Sequence, residues 1–70
     1  MLSQKMQGIM KMELLYDKEL SPDEAQTVMK RFHSDDEADT FLHKLFERRV
    51  DTQRMETADE FWEMLREATT

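Results

Sequence analysis

The chain has no cysteine, and only one of its 70 residues is glycine and one proline. Without cysteine there are no disulfides and no thiolate zinc centre, two common supports of a domain this short. A lone Gly8 and a lone Pro22 leave little material for hairpins or tight turns, which argues against a β fold. No apolar run approaches the roughly 18 residues of a membrane-spanning helix. The opening MLSQKMQGIMKM is broken by Lys5, Gln7 and Gly8. It lacks the unbroken apolar stretch and small-residue cleavage site of a secretory signal. A cytoplasmic setting with no membrane association is the expectation. No repeat or low-complexity tract is visible.

Chemistry-bearing groups are also sparse. His33 and His43 are the only histidines, and no serine–histidine–acid or cysteine nucleophile arrangement can be assembled. Asp39, His43 and Glu47 stack at i, i+4, i+8 and could touch one metal. A metal site would need ligands from a second element as well, so a solvated polar face is expected there. The acidic run from Asp35 to Asp39 lacks the glycine and ligand alternation of an EF-hand loop. A small helical domain has little room for an enclosed substrate pocket. The reading is a protein that is not an enzyme and carries no cofactor and no metal.

What is abundant is charge and helix grammar. Sixteen acidic residues against ten basic ones give a net charge of −6. Such a surface repels nucleic-acid phosphate, keeps a small protein soluble, and suits a basic partner, even by resembling a nucleic acid. The organising stretch is Ser34 to Val50. Ser34 and Glu37 form the pattern of a capping box, and Asp35 and Asp36 lie in the first turn where the helix dipole favours them. Ala38, Phe41, Leu42, Leu45 and Phe46 then recur at i, i+3, i+4, i+7, i+8, one apolar helical face.

Taken in order, residues 1–18 read as a first helix with Leu2, Met6, Ile9, Met10 and Leu14 on one stripe. Met12, Leu15 and Tyr16 fall outside the stripe, so the apolar arc is wider than one packed side requires. Four of the seven methionines lie here, and methionine serves adaptable interfaces as well as cores. Gly8 marks either a close approach by another helix or a fraying start. A second helix begins at Ser21-Pro22 with Glu24 completing a capping box, and carries Ala25, Val28, Met29 and Phe32 inward. Leu20 is placed to staple against Ala25. A third box, Thr57 with Glu60, opens the last helix, whose apolar face is Ala58, Phe61, Trp62, Leu65 and Ala68.

The predicted fold is all-α: a single domain, residues 1–70, of four short helices at about 2–17, 22–32, 35–49 and 58–68. Phe32, Phe41, Leu45, Phe46, Phe61 and Leu65 form its expected centre. The first helix either closes the bundle or supplies a dimer interface, with residues 1–12 a loose or interface-forming arm. Because a domain this small buries little core, self-association or partner binding is favoured over a lone monomer, with a homodimer preferred.

The expected function is that of a small acidic interaction protein, an inhibitor or adaptor that binds another protein. Asp35, Asp36, Asp39, Asp59, Glu60 and Glu63 would steer a partner with a basic surface. Trp62, Met64, Met6 and Met10 would anchor it. The alternatives are a subunit of a larger assembly and a dimeric nucleic-acid regulator using Lys30, Arg31, Arg48, Arg49 and Arg54. The second alternative is disfavoured. The junction at His33-Ser34 resembles a helix-turn-helix elbow, but its second helix would present Asp35, Asp36, Glu37 and Asp39 to phosphate.

Overall fold

Each helix starts where a hydroxyl can accept an N–H that has no partner within the helix. In the computed structural model, which describes residues 1–69, four such caps are present. Ser3 Oγ accepts from Met6 N–H at 3.1 Å, and Ser21 Oγ from Glu24 N–H at 3.2 Å. Ser34 Oγ accepts from Glu37 N–H at 3.3 Å, and Thr57 Oγ1 from Glu60 N–H at 3.2 Å. The helices they open are α1 (Gln4–Lys11), α2 (Pro22–Lys30), α3 (Asp35–Thr52) and α4 (Ala58–Ala68). No strand occurs among the described residues. The all-α bundle of four helices is as expected, and the last helix has the predicted bounds.

Boxes at Ser21 and Thr57 are complete. At Ser34 the box is only half made. The Glu37 carboxylate reaches one residue further back and accepts from His33 N–H at 3.2 Å. The α2–α3 junction is thereby held at two consecutive positions.

Helix ends differ more from expectation. α1 runs directly into a π-helical segment, Met12–Asp17, in which hydrogen bonds close over a wider ring. Lys18 N–H donates to Glu13 O at 3.0 Å, and Leu20 N–H to Leu14 O at 2.9 Å. Between them Glu19 takes a left-handed conformation, φ 56°, the position a glycine usually occupies after a helix. Gln53 does the same after α3, φ 55°. α3 thus continues past the expected Arg49 to Thr52, and the connection to α4 shortens. α2 stops at Lys30 because its last turn tightens: Arg31 N–H and Phe32 N–H donate to Val28 O and Met29 O, three residues back.

α3 is the hub. Ala38, Phe41 and Leu45 are buried in one cluster with Val28 from the second helix, Phe32 from the junction after it, and Phe61 and Leu65 from the fourth. Phe41 lies 5.4 Å from Phe32 and 5.8 Å from Phe61, centroid to centroid, in tilted and edge-on pairs. Pairs of this geometry contribute about 0.5–1.5 kcal/mol beyond their burial. The first helix closes the bundle: Met10 and Leu14 are fully buried. Its start is docked too, with Leu2 buried, the Met1 ammonium donating to His33 O at 2.8 Å, and Ser3 N–H donating to Asp35 Oδ1 at 2.8 Å. The Cα radius of gyration, 11.3 Å, matches the roughly 11 Å of a well-packed chain of this length.

Phe46 corrects the expected core. It is 64% exposed. Successive helical residues are about 100° apart, so a face centred on Ala38, Phe41 and Leu45 leaves Phe46 well round the cylinder, with Leu42 half-buried between. Ile9, placed on the buried stripe by periodicity, is likewise exposed at 42%. The close approach considered at Gly8 does not occur within the chain: a Cβ there would meet nothing within 4 Å.

One ion pair is buried. Lys18 and Glu56 are half-buried as whole residues, yet their side chains are only 6% and 0% exposed. Lys18 Nζ sits on Glu56 Oε1, with Glu13 3.8 Å away. The pair ties the end of the first helix to the α3–α4 connection, and removing one partner would strand a charge out of water.

Candidate functional site

Among the described residues most of the exposed large hydrophobics gather on one surface, with Met1 and Met55 lying apart from it. Ile9, Met12 and Tyr16 project from one side of α1 and its π-helical extension, at 42, 66 and 75% exposure. Leu42 and Phe46 project from the adjoining side of α3, and these five residues line one open groove of about 440 Å³. Val50, 58% exposed, follows Phe46 by one turn of α3. Single exposed apolar residues are ordinary, whereas a contiguous set on two neighbouring helices marks a contact surface.

The π-helical segment builds half of this site. Met12, Glu13, Tyr16 and Asp17 all line the groove and all fall within Met12–Asp17. Wider hydrogen-bonded turns of this kind are rare and concentrate at functional positions. Here the segment keeps Leu14 fully inside while Met12 and Tyr16 face outward.

Polar groups join the groove on one side. Arg49 Nη2 donates to Glu13 Oε1 at 3.0 Å, bridging the first helix and α3. Burial pushes the Glu13 carboxyl up from its ordinary range, its hydrogen bond with Asp17 adds to this, and Arg49 opposes it. Arg49 and, at 3.8 Å, Lys18 thus face Glu13, with the Asp17 carboxylate beside it at the groove wall.

The adjacent Arg48 points the other way, to Glu60 Oε2 on α4. Arg54 also donates to Glu60, at 2.9 and 3.3 Å. Arg54, Arg48 and the Thr57 N–H together hold the Glu60 carboxylate well below the usual range. Of the five cations considered for phosphate, Arg48, Arg49 and Arg54 are thus paired within the chain, leaving Lys30 and Arg31 exposed at the end of α2.

The residues expected to meet a partner are distributed rather than gathered. Met6 and Met10 belong to the core, at 9 and 0% exposure. Both lie on the inward stripe of α1, so neither can anchor a partner, which corrects that assignment. Trp62 and Met64 are half-buried and pack against the core, with Trp62 edge-on to Phe61 at 5.4 Å. Asp35 is held by Ser3, whose hydrogen bonds pull its carboxylate down, and Glu60 by its two arginines. Asp36, Asp39, Asp59 and Glu63 remain exposed. Asp39 lies 3.9 Å from His43, and Glu63 3.9 Å from Arg66. Among the described residues no three His, Cys, Asp or Glu side chains converge as a metal site requires. Nor is any helix among them long and apolar enough to cross a membrane.

Ile9, Met12, Tyr16, Leu42 and Phe46 were not among the expected anchors. Their signal was the excess width of two apolar arcs, on the first helix and on α3, beyond what the neighbouring helices can cover. No protein-family description, curated protein or solved structure matches this chain.

Proposed function

We propose that this chain is a small acidic interaction module of the cytoplasm, an inhibitor or adaptor that docks another protein in the groove between its first helix and α3. The observation that carries this reading is the joint exposure of Ile9, Met12, Tyr16 and Phe46 beside a core already closed without them. A groove flanked by two helices, apolar along its length and polar at one edge, suits the burial of an amphipathic helix. The carboxylates exposed elsewhere, Asp36, Asp39, Asp59 and Glu63, act on encounter rate rather than on residence. Nothing in this role requires chemistry on a bound substrate.

The test is position-specific photocrosslinking in the native host. A benzophenone side chain in place of Phe46 should give a discrete adduct heavier than the chain. The same group in place of Asp59 on α4 should not. Absence of any adduct at Phe46, or equal labelling from both positions, overturns the groove assignment.

A further inference from the structure

The groove has a charge preference as well as a shape. Its lining carries Glu13, Asp17 and Arg49, and Arg49 is already spent on Glu13 at 3.0 Å. Lys18, the next cation, is buried on Glu56. One negative charge thus remains without a matching cation beside the apolar strip, within a chain of net charge −6. A second copy brings the same −6 and the same carboxylates, so both the long-range field and the local contact oppose self-docking. An occupant with lysine or arginine along its polar edge is attracted by both. Length is set by the lined stretch of the flanking helix, Ile9 to Asp17, about 13 Å at ~1.5 Å per residue.

We infer that the occupant is a basic amphipathic helix that lays about two to three turns in the groove. Its apolar side inserts between Met12 and Tyr16 on one wall and Phe46 on the other, and its lysines or arginines meet Glu13 and Asp17. This inference rests on the docking reading above and names the chemistry of the partner. The raised Glu13 carboxyl accords with it, because an added cation relieves the repulsion that Asp17 imposes and the desolvation that Arg49 offsets only in part.

Two fluorescein-labelled synthetic helices test it against the full chain, by anisotropy at physiological salt. Both have the length of the flanking helix and the same leucine positions. One carries lysine and the other glutamate at every polar position. The lysine peptide is expected to bind at least about tenfold more tightly, and Asp17→Lys to remove at least about tenfold of that affinity. Phe46→Ser should weaken it comparably, and Asp59→Lys on the far side should leave it within about twofold. Circular dichroism checks that each variant keeps its helices.

Equal binding of both peptides, lost in Phe46→Ser, would overturn the basic preference and leave the groove as a docking site. Lysine-peptide binding that is indifferent to Phe46→Ser and reduced as much by Asp59→Lys as by Asp17→Lys would mean diffuse attraction, and would overturn both readings. No binding of either peptide, with a dimer by light scattering that Phe46→Ser converts to monomer, would make a second copy the occupant. No binding by a monomeric chain overturns the inference outright.

Discussion

Phe41 and Phe46 stand on the same helix, little more than one turn apart, and share every local property a sequence displays. Phe41 is 1% exposed and Phe46 64%. The difference lies in what each side of α3 meets. On the Phe41 side rings from Phe32, in the junction after α2, and from Phe61, on α4, close over it. On the Phe46 side only the first helix is present, and its π-helical stretch turns Met12 and Tyr16 alongside Phe46 rather than over it. Consecutive arginines repeat the contrast, Arg48 to Glu60 on the closed side and Arg49 to Glu13 on the open one. One side of α3 is spent on the fold, and the other stays open to solvent.

The largest effect should come from truncating each ring. Phe41→Ala removes the centre of the aromatic cluster and is expected to cost about 3–5 kcal/mol, enough to unfold much of a domain this size. Phe46→Ala should change stability by less than about 0.5 kcal/mol. Paired urea titrations read both, and similar losses at the two positions would dissolve the comparison. A smaller effect of opposite sign is expected on the open side. Gly8 lies inside α1 with free space around its missing Cβ, so Gly8→Ala should stabilise by about 1 kcal/mol. A thermal melt that is unchanged or lowered would show that α1 frays at that point regardless.

The smallest effect concerns acid. Glu60, held low by Arg54 and Arg48, stabilises the fold above its ordinary value of 4.5. That contribution is lost progressively as pH falls below this value. Glu13 has the opposite sign. Its folded-state carboxyl takes up a proton more readily than the unfolded one, so its contribution is present below 4.5 and disappears as pH rises through its raised value. Melting temperature followed from pH 7 downward should therefore fall less steeply in Glu60→Gln than in the parent. In Glu13→Gln it should fall more steeply. Because Glu60 and Glu13 are both only partly buried, salt should shrink both differences, and parallel curves would remove this contrast between the two sides.

Much of the architecture was legible because it is written locally. Ser21-Pro22 with Glu24 and Thr57 with Glu60 state where helices begin in terms of hydrogen bonds a few residues long. The α4 stripe of Phe61 and Leu65 states which way that helix faces. The site was less legible, because it consists of what packing leaves over. Periodicity places Phe46 and Ile9 on apolar faces, but whether a face is covered depends on how many neighbours arrive. The methionines follow periodicity more closely: Met10, on the stripe, is buried, and Met12, outside it, is exposed. The helix ends were hidden for another reason. Glu19 and Gln53 adopt the conformation that glycine ordinarily signals, so nothing in their identity announces the reversal.

The π-helical stretch also gives the chain a reserve of length. A wider turn accommodates a residue that an ordinary turn would have to expel, so Met12–Asp17 behaves as an insertion already absorbed. Shortening it by one residue would let the helix continue in plain α form while Leu14 kept its place inside. Residues after the cut would keep their register on the bundle, because the wide turn had absorbed the extra one, whereas the same deletion in plain α-helix would swing them by about 100°. One residue can therefore be lost here with the bundle itself left standing.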